Sequence, residues 1–136
     1  MSTAFIEMDD YFEFPVEGDT VSRLSIDYAF TILLQDTDLQ VVVEQEFAYS
    51  SGTTSAMLRA PDRVAPVLEM LHKPVRSLRV LKNGRLTFAA APDITMTVEP
   101  HPKYEAWHVN GRSNLLIVCM PGGKLAVWPG SEGPTA

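Results

Sequence analysis

The sequence predicts an α+β domain, mainly an antiparallel β-sheet meander with one short helix packed on it. Two tight-turn signals, Asn83-Gly84 and Pro121-Gly122-Gly123, join apolar segments in the way that β-hairpins do. Apolar and polar residues alternate in segments such as Ile94–Glu99, which is the period of a half-exposed strand. One stretch, Ala60–Leu71, has apolar residues at helical spacing instead. Short connections favour a meander over parallel crossovers.

The domain organisation follows from length and composition. The 136 residues are enough for one domain with its own core. We expect an acidic-aromatic N-terminal arm over residues 1–17, a single α+β domain over 18–129 and a flexible tail over 130–136. Three forms are open for the arm: a loosely held segment, a short helix around residues 3–12, or a sheet edge that docks late. Its phenylalanines can be buried: Phe5, Phe12 and Phe14.

The segment Thr20–Ala48 is predicted to form strands. Within it, Tyr28–Leu34 and Leu39–Ala48 flank the polar reversal Gln35–Asp38, whose Asp-Thr-Asp sequence is favourable turn chemistry. Ser50–Ser55 is rich in serine, threonine and glycine, so we expect a loop there.

The predicted helix covers Ala60–Leu71. Pro61 suits an early helical position, and four apolar residues recur at helical spacing: Val64, Val67, Leu68 and Leu71. Pro66 lies inside this pattern, and it either starts the helix later or kinks it.

A hairpin is predicted next, from Val75–Leu81 and Arg85–Ala90. Asn83-Gly84 is the two-residue loop that a type I′ turn prefers. Ile94–Glu99 follows as a further strand.

Three strands are predicted in the stretch Tyr104–Trp128. Asn110-Gly111 and Pro121-Gly122-Gly123 supply the two reversals. Leu115–Met120 is apolar on both faces, which suits a strand covered on both sides. Alternation places three residues of the first strand on one face: Glu105, Trp107 and Val109.

The net charge of −6 is distributed unevenly along the chain. Residues 1–50 hold eleven acidic residues and one basic residue, whereas residues 51–136 hold six acidic and ten basic residues. An acidic surface of this kind disfavours nucleic acid and favours a basic protein partner. The alternative is a solvated acidic surface that keeps the protein soluble. We take five acidic residues as candidates for the partner-binding surface: Asp9, Asp10, Glu13, Glu44 and Glu46.

The sequence offers no catalytic set, and we expect no catalytic residue, metal or cofactor. Cys119 excludes an intramolecular disulfide because it is the single cysteine, and its apolar neighbours indicate a small core residue. The three histidines share no ligand-like spacing: His72, His101 and His108. A Cys119–His108–Glu105 triad fails because alternation places Glu105 and His108 on opposite faces of their strand.

A pocket is the alternative kind of site. Tryptophan buries a large ring and usually also needs a partner for its indole N–H, so the two tryptophans are candidates to shape a cavity, with core packing as the alternative. The candidate pocket residues are Tyr104, Glu105, Trp107 and Trp128.

Three motifs resemble a family of small actinobacterial domains of unknown function. They are Asp27-Tyr28-Ala29, Tyr104-Glu105-Ala106-Trp107, and Cys119-Met120-Pro121-Gly122-Gly123 followed by Ala126-Val127-Trp128. The resemblance covers Gly18 to Trp128. It implies no established reaction and therefore no catalytic residue.

The expected function is that of a non-catalytic interaction protein that binds a basic protein partner, for example an immunity-type or accessory protein of a toxin system, by analogy. The alternative is a small-ligand-binding or enzymatic domain with a pocket near Tyr104 and Trp107. We expect a cytoplasmic protein, because no signal peptide and no apolar run of membrane-spanning length are present.

Overall fold

Two β-sheets make up most of the fold. The structure is a computed structural model that describes residues 5–52, 54–131 and the backbone of 134–135. Its strands are β1 Phe5–Glu7, β2 Tyr11–Phe14, β3 Val21–Ile26, β4 Phe30–Leu34, β5 Gln40–Val43, β6 Phe47–Ser50, β7 Ser55–Leu58, β8 Val75–Leu81, β9 Leu86–Ala90, β10 Ile94–Val98, β11 Trp107–Asn110, β12 Leu116–Cys119, β13 Leu125–Trp128 and β14 Pro134–Thr135. The described residues also include the 3₁₀ helices η1 Ala65–Met70, η2 Arg112–Asn114 and η3 Pro121–Gly123.

The larger sheet has eight strands in the order β14-β1-β2-β8-β9-β10-β6-β7, and the smaller has six in the order β13-β12-β11-β5-β4-β3. Among the described strands, β1 and β14 alone pair in parallel. The predicted antiparallel sheet is therefore confirmed, in a structure that is mainly β. The meander is local, because five runs of consecutive strands, together with β14, make up the two sheets. Within each sheet the runs are joined by pairings between strands far apart in sequence, namely β2 with β8, β6 with β10 and β5 with β11.

The core lies between the two sheets. Inward residues of both sheets form one hydrophobic cluster. Phe30 of β4 stacks on Phe47 of β6, with ring centroids 5.5 Å apart and an interplanar angle of 13°. Burial alternates along strands such as β4 and β9, as the sequence pattern predicts for strands with one covered face.

The predicted helix over Ala60–Leu71 is shorter than expected and of a different type. η1 is a six-residue 3₁₀ helix with Pro66 in its first turn, so the proline marks a later start. A 3₁₀ helix has three residues per turn, which buries the residues spaced by three: Val64, Val67 and Met70. Leu68 and Leu71, which a 3.6-residue period would bury, are exposed.

η1 is hydrogen-bonded to both sheets, at the edge strand β3 of the smaller sheet and at β6, next to the edge strand β7, of the larger. The backbone N–H of His72, just after the helix, donates to Val21 O of β3 at 2.7 Å. From the other sheet, the hydroxyl of Tyr49 in β6 donates to Glu69 Oε2 at 2.7 Å. Burial, and then the neighbouring Glu69 carboxylate, raise the pKa of the Tyr49 phenol well above its ordinary value. The helix therefore closes one side of the sandwich.

The segment expected as an N-terminal arm contributes two strands to the larger sheet. β2 pairs with β8, and β1 pairs with β2. Phe5, Phe12 and Phe14 are buried, as the sequence allowed. The tail expected to be flexible, residues 130–136, lies partly outside the described residues, but the backbone of β14 pairs with β1.

Two loops differ from expectation. The segment Ser50–Ser55 was expected to be a loop, but β6 ends at Ser50 and β7 begins at Ser55, so the connection itself is shorter. Strand β7 was not predicted. The reversal at Asn110-Gly111 is longer than two residues, because Ser113 and Asn114 adopt positive φ before β12 begins.

The predictions for the stretch Tyr104–Trp128 are confirmed for its three strands but not for the position of Glu105. Three strands do form between Tyr104 and Trp128, and Gly122 and Gly123 adopt positive φ in the second turn. Glu105 does not share a face with Trp107, because β11 begins only at Trp107 and Glu105 is exposed ahead of it.

Candidate functional site

Several turns of both sheets meet at one end of the sandwich, which we call the Tyr28 end. The pairing registers place them there: Tyr11 lies opposite Leu81, and Val43 lies between Phe30 and Trp107. The tips of the two sheets touch here, since a Cβ on Gly84 would lie 2.6 Å from Gly123 Cα. The segments at this end are 8–10, 27–29, 44–46, 59–63, 82–85, 99–106 and 120–124.

A cleft of about 500 Å³ opens at the Tyr28 end, between the β3–β4 turn and the loop that follows β7. We call it the Tyr28 cleft. Its volume falls in the range of about 300–1,000 Å³ that is typical of ligand sites in proteins. Its lining residues are Tyr28, Val43, Glu44, Gln45, Arg59, Ala60, Pro61 and Asp62.

A tight turn presents Tyr28 at the rim of this cleft. Ala29 N donates to Asp27 Oδ1 at 2.8 Å, and Asp27 N donates to Ala29 O at 3.0 Å. Aspartate favours such turns because its side chain bonds the backbone two residues on. The side chain of Tyr28 is 94% exposed, so core packing does not hold the ring.

Backbone hydrogen bonds fix the floor and the opposite wall. Glu44 N donates to Ala106 O at 2.8 Å, which extends the pairing of β5 with β11. Arg59 and Arg63 exchange backbone bonds of 2.8 and 2.9 Å across the loop that carries Asp62. The cleft is therefore built on ordered backbone.

The predicted acidic residues divide between the Tyr28 end and a sheet face. Glu44 lines the cleft, with its carboxylate 3.6 Å from His108 Nδ1. Glu46, two residues after Glu44, forms an ion pair of 3.2 Å with Arg63 of the β7–η1 loop. Asp9 and Asp10 lie in the β1–β2 turn at the same end. Glu13 lies on the outer face of β2 instead.

Basic residues of β8 and its turn offset part of this acidic charge. Arg79 lies 3.4 Å from Glu13, Lys82 lies 2.8 Å from Glu7, and Arg85 lies 2.9 Å from Glu99. These pairs are half-exposed, so each contributes roughly 0–1 kcal/mol to stability. The acidic half of the sequence is thus not one continuous acidic surface.

The structure does not bring the four predicted pocket residues together. Trp107 is fully buried, and its indole N–H donates to Gly84 O at 2.8 Å. Tyr104 is 66% exposed, with its ring 4.8 Å from that of His101. Trp128 lies opposite Leu116, at the far end of these strands. Glu105, next to Tyr104, is exposed on the surface.

Two buried side chains, Trp107 and Cys119, lie next to the contact between Gly84 and Gly123. Gly84 O accepts the indole N–H of Trp107 and also lies 3.4 Å from Cys119 Sγ. Burial raises the pKa of the Cys119 thiol, although a backbone bond from Ala106 acts in the opposite direction. Cys119 is thus a buried core residue, as predicted.

A family model described as a family of unknown function, DUF6188, matches residues 12–129. The chain belongs to this family. The predicted membership of a family of unknown function is confirmed, and the match begins upstream of the predicted boundary at Gly18. No curated protein and no solved structure matches the chain.

The DUF6188 region contains the whole Tyr28 cleft, but Asp9 and Asp10 precede it. Sequence reasoning missed Tyr28 as a site residue, although the Asp27 turn that presents it has a recognisable signal. It also missed Arg59 and Asp62, which reach the cleft because β7 pairs with β6 and carries the chain to this end.

At the opposite end, which we call the Asp19 end, one buried carboxylate holds the β4–β5 turn. Asp19 accepts bonds from Thr20 N at 2.7 Å, Asp36 N at 2.8 Å, Thr37 N at 3.1 Å and Thr37 Oγ1 at 2.8 Å. Burial alone would raise the pKa of this carboxyl, but the four hydrogen bonds together lower it below its ordinary value. Asp19 is a structural residue.

The part of the chain that the structure describes contains neither a metal-binding cluster nor a membrane-spanning helix. Within residues 5–52 and 54–131, no group of three or more His, Cys, Asp or Glu side chains is arranged to hold a metal ion. Asp38 of the β4–β5 turn pairs instead with Arg112 at 3.0 Å. No helix in the described part of the chain is long and apolar enough to cross a membrane.

Proposed function

We propose that this protein is a non-catalytic interaction protein that binds a basic protein partner through the Tyr28 end. One observation carries the proposal: four of the five acidic candidate residues lie at this end, although they come from two segments more than thirty residues apart. The four are Asp9, Asp10, Glu44 and Glu46.

The segments at the Tyr28 end hold eight acidic and six basic residues, a net charge of −2 that favours long-range attraction of a cation. Among the described residues, no ion pair involves Asp9, Asp10 or Asp62, so their carboxylates are not neutralised locally. Exposed charges of one sign raise association rates more than they raise affinity. The partner would therefore be recognised first by its positive charge.

An immunity-type or accessory protein that antagonises a basic toxin is one form of this function. Cys119, the single cysteine, is buried and its pKa is raised, which argues against a thiol nucleophile. We also propose that the protein is cytoplasmic and that it comes from an actinobacterium.

The test begins with capture of the partner from native cells, followed by its identification and measurement of its charge. Association rates are then measured against salt concentration for the wild type and for the Asp9→Asn/Asp10→Asn variant. We expect slower association and a flatter salt dependence in the variant, since the screening length falls from about 10 Å at 0.1 M to about 3 Å at 1 M salt.

A matched control removes the same charge from the Asp19 end. Glu17 and Asp36 are both exposed there, so the Glu17→Gln/Asp36→Asn variant should keep association close to that of the wild type. Capture of an acidic partner, or identical rates for both double variants across the salt series, would refute the proposal.

A further inference from the structure

We infer that the Tyr28 cleft receives one cationic side chain, a lysine or an arginine, from the partner. This inference rests on the proposed function and deepens it, because it assigns the contact to particular residues. It joins three features of the cleft: an exposed aromatic ring, two carboxylates and a volume of about 500 Å³.

The first feature is the ring at the rim. Folding does not account for Tyr28, because a side chain that is 94% exposed contributes almost nothing to the core. The Asp27–Ala29 hydrogen bonds nevertheless hold its backbone in a defined turn. An exposed aromatic face is what an ammonium or guanidinium group uses for a cation–π contact.

The second feature is the pair of carboxylates in the cleft lining, Glu44 and Asp62. The backbone of Glu44, just after β5, is held by its hydrogen bond to Ala106 O, and Asp62 lies in the loop that Arg59 and Arg63 hold closed. Carboxylates form the strongest hydrogen bonds with charged donors, and a guanidinium can bond one of them through two N–H groups. A cation in the cleft would therefore meet negative charge on two walls and an aromatic face at the rim.

The third feature is the size and openness of the cleft. Its volume exceeds what one side chain needs, so the cation would keep part of its hydration shell. The contact is thus a weak one by itself, and its contribution is to fix the orientation of a partner that charge has already attracted.

Arg59 carries a positive charge in the cleft lining, and its removal therefore tests whether the cleft binds a cation or an anion. Its guanidinium belongs to no ion pair among the described residues, and it would repel an incoming cation. Two carboxylates against one guanidinium leave the lining net negative. If the cleft takes a cation, removal of Arg59 must strengthen binding; if it takes an anion or a zwitterion, removal must weaken binding.

The experiment uses small probes, so it does not depend on the identity of the partner. The full-length ¹⁵N-labelled protein is titrated with Nα-acetyl-lysine methylamide, Nα-acetyl-arginine methylamide and the neutral norleucine analogue. We expect saturable shifts of the backbone amides of residues 27–29, 44–45 and 59–62 with both cations, and none with norleucine. Tighter binding of the arginine probe would indicate stacking and bidentate contacts, which an ammonium cannot make.

Three variants make the assignment specific. Tyr28→Leu and Glu44→Gln should each weaken binding about two- to fivefold, the effect of losing one solvent-exposed cation contact. Arg59→Gln should strengthen it by a similar factor. All three side chains are exposed, so unfolding midpoints should be unchanged and serve as the folding control.

Equal responses to norleucine and to the cations, or weaker binding by Arg59→Gln, would overturn the inference. The outcome is separable from that of the proposed function. If the probes fail but Asp9→Asn/Asp10→Asn still slows association with a basic partner, the interaction function stands without the cleft. If the probes bind but the captured partner is acidic, the proposed function is wrong and the cation site remains.

Discussion

Replacement of Asp19 by asparagine should destabilise the protein without disturbing the Tyr28 end. The carboxylate accepts four hydrogen bonds, three of them from donors in the β4–β5 turn, and Asp19 is only 3% exposed. Asparagine is nearly isosteric, but it offers one acceptor oxygen and turns an NH₂ group toward the remaining donors. The substitution therefore leaves buried backbone N–H groups of the turn without an acceptor.

The expected loss can be estimated from the bonds removed. Hydrogen bonds to charged groups contribute roughly 1.5–3 kcal/mol, so we expect a decrease of about 2–3 kcal/mol in the free energy of unfolding. Unfolding entropy of about 2.1 cal/mol/K per residue converts this into a fall of about 7–10 °C in Tm for a domain of this size. Chemical denaturation and calorimetry both measure it.

The loss should also depend on pH. Because the folded-state pKa of Asp19 lies below its ordinary value of 3.8, the carboxylate contributes stability that is fully present above about pH 4. That contribution is lost as pH falls through the lower folded-state pKa. The difference in stability between the wild type and Asp19→Asn should accordingly be largest at neutral pH and shrink in acid.

The control is Asp36→Asn, which changes the same charge in the same turn. The Asp36 side chain is exposed and its backbone N–H is retained, so the change should stay within about 0.5 kcal/mol. A loss for Asp19→Asn no larger than this, or a loss that is constant from pH 7 to pH 3, would refute the assigned role of the carboxylate.

Two further predictions concern the contact between the sheet tips. Gly84→Ala should lower the free energy of unfolding by more than Gly18→Ala in denaturant titrations, because the new Cβ at residue 84 would lie 2.6 Å from Gly123 Cα, whereas nothing lies within 4 Å at residue 18. Both glycines have positive φ, so both substitutions carry a strain of about 1–2 kcal/mol, and equal losses would mean that the tip contact is not tight. Cys119 should react with a thiol reagent far more slowly in the native protein than in denaturant, and rapid native labelling would show that the tips separate readily.

Local turn chemistry predicted part of the fold well. Asn83-Gly84 joins β8 to β9 as expected, but the predicted type I′ turn is wrong, because only Gly84 adopts positive φ and Asn83 does not. Gly122 and Gly123 supply the positive φ of the second turn. In both turns the residues that determine the conformation are adjacent in sequence, so no distant partner is needed to recognise them.

Elements that depend on pairing or packing with another part of the chain were not predictable. The residues of β7, Ser55–Leu58, have little periodicity and become a strand through pairing with β6. The apolar spacing of Ala60–Leu71 fits 3.6 residues per turn, but the helix starts only at Ala65, with Pro66 in its first turn, and is a 3₁₀ helix with three residues per turn. Likewise, Trp107 could not be assigned to the core without knowing that Gly84 O lies beside its indole N–H.

In the candidate site, too, some residues could be predicted from the sequence and others could not. Glu44 was identified from composition, since acidic residues outnumber basic ones by eleven to one in residues 1–50. The other wall of the Tyr28 cleft was not, because Arg59 and Asp62 lie in residues 51–136, which are net basic. Only the fold brings the two charges of Glu44 and Asp62 to one cleft.

The pairing of β2 with β8 has a consequence for synthesis of the chain on the ribosome. Phe12 lies opposite Val80, so β1 and β2 are translated long before the strand that they pair with. At roughly 5–20 residues per second, the delay is of the order of several seconds. During that time three phenylalanines are exposed on a nascent segment, and the acids interleaved with them, Glu7, Asp9, Asp10 and Glu13, are the kind of charge that suppresses aggregation. The composition of residues 5–14 thus also suits strands that remain exposed to solvent until β8 has been synthesised.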